Sequence, residues 1–115
     1  MYQSCAAAAR SRDEGSARAQ ARGAQLSECA SALEGAARCW AGSRSGTALD
    51  LVARAGKALS RAERSSEGPT RLRLQALQRD LDDVTTLMRG GDSEAEACLR
   101  QLTQSVRAVA LSDEQ

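Results

Sequence analysis

The sequence predicts an all-α fold, an antiparallel three- or four-helix bundle with a poorly packed N-terminal arm. Apolar residues recur at three- and four-residue spacings over most of the chain after residue 25, the period of one helix face. Ala and Arg, both strong helix formers, are abundant. Alternating β-branched residues, the mark of a half-buried strand, are missing throughout.

Residues 1–24 make the arm. They are rich in Ala, Arg, Ser and Gly, and no large periodic apolar residue falls between Tyr2 and Leu26. Such a segment can be helical, but it has little apolar surface to bury. The bundle is expected over 25–115. Its first helix reads through Leu26, Cys29/Ala30, Leu33, Ala36/Ala37 and Trp40, and stops at Gly42. A second is expected from Thr47, where Asp50 three residues on makes a capping-box-like pattern. It runs through Ala48, Val52, Ala55, Leu59 and Ala62. Gly68 reads as its C-cap, and Pro69 as the first turn of the next helix.

The third helix has the strongest period: Leu74, Leu77, Leu81, Val84 and Met88. Gly90-Gly91 interrupts it, and Ser93 with Glu96 reads as a second capping box. The period resumes at Ala95, Cys98/Leu99, Leu102, Val106 and Val109. Heptad phase persists through 74, 81, 88, 95, 102 and 109, so Gly90-Gly91 is either a turn or a weak point in one long helix. The caps favour the turn. The expected core uses Leu26, Leu33, Trp40, Val52, Leu59, Leu74, Leu77, Leu81, Val84, Leu99, Leu102 and Val106.

That core is thin. The chain has 13 Leu, 4 Val, no Ile and no Phe, so 17 of 115 residues supply its large aliphatic and Phe content. This lies below the roughly 20% at which a packed core is expected. The net charge of +1 is not that of a disordered chain. A helical chain with a thin core gains stability from a partner or a second copy. The expected function is therefore non-enzymatic: a small helical subunit or adaptor acting through helix–helix packing in a larger assembly. The candidate interface is the stripe Leu74, Leu77, Leu81, Val84 and Met88, seated in a partner's groove. The same stripe would also serve an ordinary bundle core.

Several chemistries are disfavoured. Histidine is absent, which removes the usual general base near neutral pH and every His-dependent triad or metal site. No glycine-rich phosphate loop occurs. Asp82 and Asp83 are consecutive, so on a helix they diverge by about 100° and read as a solvated face. No catalytic, cofactor-binding or metal-binding residue is expected. Residues 1–47 carry six basic and four acidic side chains, and residues 69–115 carry six and eight. With no basic field and one Trp, nucleic acid is not an expected partner. No stretch approaches the roughly 18 apolar residues of a membrane span, so no transmembrane segment is expected. The compartment is not assigned.

The sole Trp lies in "WAG", residues 40–42, between two amphipathic helices. Over about residues 24–64 this resembles the Trp-X-Gly family of small helical hairpins exported by type VII secretion. The resemblance implies that Trp40 packs against the helix ends, that Gly42 lets the chain reverse, and that the hairpin pairs with a sister protein. Cys29 and Cys39 enclose nine residues, "CASALEGAARC". This resembles half of the twin Cys-x9-Cys motif of the coiled-coil-helix-coiled-coil-helix family of the mitochondrial intermembrane space. It makes Cys29 and Cys39 candidate disulfide residues. The alternative is free, half-buried thiols acting as small hydrophobes.

Overall fold

Four helices follow one another: α1 (Tyr2–Ala41), α2 (Ser45–Arg64), α3 (Gly68–Arg89) and α4 (Ala95–Glu114). This computed structural model describes the backbone of residues 2–114 and the side chains of residues 17–112. Among the described residues there is no strand. Each helix packs on its neighbours in sequence, α4 returns to α1, and the backbones of the diagonal pairs stay apart. The chain is thus a closed four-helix ring. Its antiparallel sense follows from which residues meet: Gly35 with Leu51, Gly56 with Leu81, Gln78 with Ser60, and Arg107 with Glu34.

The seams are not alike. The backbone of α1 approaches α2 and α4 more closely than that of α3 approaches its neighbours. Side-chain size explains this, because interaxial distance follows the residues at the contact. Buried α1 residues include Ala30, Ala32, Ala36 and Ala37, and buried α2 residues include Ala48, Ala55, Ala58 and Ala62. Gly35 adds to the effect: a Cβ there would lie 3.3 Å from Leu51 Cδ1. α3 instead inserts Leu74, Leu77, Leu81, Val84 and Met88, which hold its axis further out. The Ala-rich composition is accommodated by drawing helices together.

The expected core residues are buried, except that Trp40 is half-buried and packs against the core from its edge. The stripe expected to face a partner needs correction. Leu74, Leu77, Leu81, Val84 and Met88 are between 0% and 6% exposed and belong to the chain's own core. The ring of four helices consumes the surface that the adaptor reading assigned to a partner.

α1 has 40 residues, about 60 Å of helix, whereas a 20-residue helix such as α2 is about 30 Å long. The neighbours are thus half as long as α1. Burial begins at Leu26, and no residue from 17 to 25 is buried.

The turns differ from expectation in their capping. α2 begins at Ser45 without a side-chain cap, so Thr47 lies inside the helix and does not start it. α2 ends at Arg64 with Ser65 as C-cap. Gly68, at φ +62°, heads α3 and does not close α2. Gly90-Gly91 is a turn. There Asp92 acts in place of Ser93, because its Oδ1 accepts the Glu94 backbone N–H at 2.9 Å. Glu96 is spent on an ion pair with Arg100 at 2.7 Å.

Candidate binding groove

Ala48, Val52, Ala55, Ala58, Leu59 and Ala62 of α2 turn inward. The flank toward α3 presents small residues, Ala53, Gly56 and Ser60, beside the cations Lys57, Arg61 and Arg64. Across from them α3 presents Gln78, Asp82, Thr85 and Arg89. Between the two helices lies an open groove of about 530 Å³. Buried Val52 and Leu81 and half-buried Leu49 contribute to its lining. Gly56 matters here because a Cβ would sit 3.4 Å from Leu81 Cδ2. The walls are tied at one level, where Gln78 Nε2 donates to Ser60 Oγ at 2.8 Å.

The groove is positive. Lys57, Arg61, Arg64 and Arg89 line it against the single carboxylate of Asp82, in a chain whose net charge is only +1. None of the four cations forms an ion pair among the described residues. On the opposite side of the bundle Arg38, Arg100 and Arg107 also outnumber the carboxylate lining the groove, but all three are ion-paired. There Glu34 takes Arg107 of α4 at 2.6 Å on Oε2 and Arg38 of its own helix at 3.2 Å on Oε1. The hydrogen bond from Arg107, with the charges of both arginines, holds the Glu34 carboxyl below its ordinary value. Smaller grooves follow other seams, about 270 Å³ beside Asp80 and Asp83 between α3 and α4, and about 310 Å³ beside Glu34 between α1 and α4.

The motif residues are placed as follows. Trp40 lies in the last turn of α1. Gly42 donates its N–H to the Arg38 carbonyl at 3.0 Å. The left-handed residue that reverses the chain is Ser43, at φ 63°, and not Gly42. The α1–α2 hairpin is covered by α3 and α4 of its own chain. Cys29 and Cys39 are both free thiols. Ten residues apart on one helix, they are separated by about 15 Å, beyond the roughly 7 Å limit for a disulfide. The mutual disulfide is therefore excluded in this fold. Cys29 is 0% exposed, and burial, aided by the nearby Glu28 charge, pushes its thiol up to about 12.

The groove cations were not among the residues singled out from sequence. Arg54, Lys57, Arg61 and Arg64 recur at three- and four-residue spacings, which was the available signal. Arg89 joins them only through the tertiary fold. Among the described residues no group of three or more His, Cys, Asp or Glu is placed to hold a metal ion. Among the described residues no helix is long and apolar enough to cross a membrane. Comparison with known proteins finds no matching family model, no similar curated protein and no similar solved structure.

Proposed function

We propose that this chain is a non-catalytic helical binding module whose contact surface is the α2–α3 face. The supporting observation is the open groove of about 530 Å³ with four unpaired cations on its walls. The exposed lysine and arginine heads, hydrated and held by no carboxylate among the described residues, are free to pair with acceptors of a partner. α1, α2 and α4 supply the closely packed frame, and α3 sets the width of the groove. The Leu74–Met88 stripe supports the groove from inside, and of its residues Leu81 reaches the groove lining.

Site-specific photocrosslinking in the source cells tests this. A benzophenone side chain at exposed Ala53, on the groove flank, is expected to give discrete adducts. The same group at exposed Gln104, on the α1–α4 seam, is expected to give none. Equal crosslinking at the two positions, or none at Ala53, would remove the α2–α3 face as the contact surface.

A further inference from the structure

We infer that the occupant of the α2–α3 groove is an acidic amphipathic helix of a partner protein. This rests on the binding-module reading and goes on to the chemistry of the partner.

The distribution of charge selects the shape of the ligand. Antiparallel pairing sets Ser60 opposite Gln78 and Gly56 opposite Leu81. Arg89, eight residues beyond Leu81, therefore lies level with about residue 48 of α2. From there to Arg64 the cations are strung over some 16 residues, about 24 Å of helix. They do not converge on one point, as a site for a single phosphate would require. A helix of about 16 residues spans that length. On α2 the steps from Lys57 to Arg61 to Arg64 are four and three residues, the spacing at which side chains share one helix face. A partner helix with carboxylates at the same spacing meets them in register.

The groove also admits a helix. Ala53, Gly56 and Ser60 give α2 a low flank for close backbone approach. Leu49 is half-buried there and offers an apolar contact. This is the helix-in-groove mode of recognition, with the carboxylate-bearing face turned to the groove, small apolar residues at its edge against Leu49, and charge setting register and partner choice.

The test uses the full chain and a fluorescein-labelled 16-residue Ala/Leu/Glu peptide whose glutamates lie on one helical face. A control peptide has the same composition with its glutamates spread around the helix. By fluorescence anisotropy, the full chain is expected to bind the one-face peptide about tenfold more tightly than the control, with affinity falling as salt rises. The triple variant K57Q/R61Q/R64Q, altered only at exposed positions, is expected to lose about tenfold. Its circular dichroism melt serves as the check that it is folded. Amide shift changes should centre on α2 and α3. Equal affinity for the two peptides, or an undiminished triple variant, overturns the inference. So does tighter binding of a single-stranded oligonucleotide of equal charge, or concentration-dependent self-association that the triple variant abolishes. If the acidic peptide fails while Ala53 crosslinks persist, the binding module stands and the acidic helix falls. If neither gives a signal, both fall.

Discussion

Ser43 and Gly91 occupy the same left-handed backbone station, at φ 63° and φ 68°, in two turns at one end of the bundle. The hydrogen bonding is the same in each. Ser43 and Arg44 donate to the carbonyls of Trp40 and Cys39, and Gly91 and Asp92 donate to those of Met88 and Leu87. Both are Schellman closures. One has the residue the geometry favours, and the other has a side chain where a Cβ is strained.

Ser43→Gly should therefore stabilise the fold by about 1 kcal/mol, and Gly91→Ala should cost about as much. Gly42→Ala should change little, since its Cβ would make ordinary contacts, at 3.5 Å from the Arg38 carbonyl. Thermal melts of the three variants check this. A larger loss at Gly42 than at Gly91 would contradict the assignment of the turn.

Core and surface leucines on α3 should separate cleanly. Leu81→Ala, at a residue 4% exposed, should cost about 2–5 kcal/mol in urea unfolding. Leu72→Ala, at a residue 67% exposed, should stay within about 0.5 kcal/mol. A small loss at Leu81 would mean that the stripe is not core after all.

Glu34 predicts a particular acid response. Its carboxyl is held below the ordinary 4.5, first by the Arg107 hydrogen bond and then by the arginine charges. A lowered native value makes its contribution fully present above the unfolded value and lost as pH falls through the folded one. Wild type should therefore lose stability below about pH 4.5 more steeply than Glu34→Gln, with both parallel between pH 5 and 7. Melting temperature against pH checks this. Identical acid slopes would show that the Glu34–Arg107 contact contributes nothing in solution.

Thiol labelling should resolve Cys29 from its neighbours. Cys39 and Cys98 are half-buried and Cys29 is fully enclosed. The reactive species is the thiolate, so at pH 8 Cys29 should resist iodoacetamide until urea unfolds the chain. Peptide mass spectrometry of native and unfolded samples reads the difference. Early labelling of Cys29 would argue against its enclosure between the helices.

The helices are legible in the sequence wherever large residues mark the period. Leu74, Leu77, Leu81, Val84 and Met88 define α3, and Leu99, Leu102 and Val106 define α4. Caps are less legible because several residues nearby could serve. Thr47 and Ser93 have the chemistry of an N-cap, yet Arg44 and Asp92 hold the positions that matter. The alanines mislead most. Counted by area they predict a deficient core. Counted by how closely they let α1 approach α2, they account for the tightest seams in the fold. The groove escapes for another reason: Arg89 and Arg64 share it through the pairing of α2 with α3, which no local spacing records.

The closure of α4 onto α1 also has a consequence for synthesis. α1 and α2 emerge first and can form their hairpin early, but the α4-facing side of α1 has no cover until the fourth helix follows. Over that interval the flank around Leu26 and Ala30, which lines the α1–α4 seam, stays wet on the nascent chain. Transiently exposed apolar surface of this kind is where chaperones engage and where misassembly starts. Nascent chains arrested on the ribosome with α4 (Ala95–Glu114) exposed should be held by a chaperone less than chains arrested with only α1 to α3 exposed, and this difference should exceed that made by adding α3 (Gly68–Arg89).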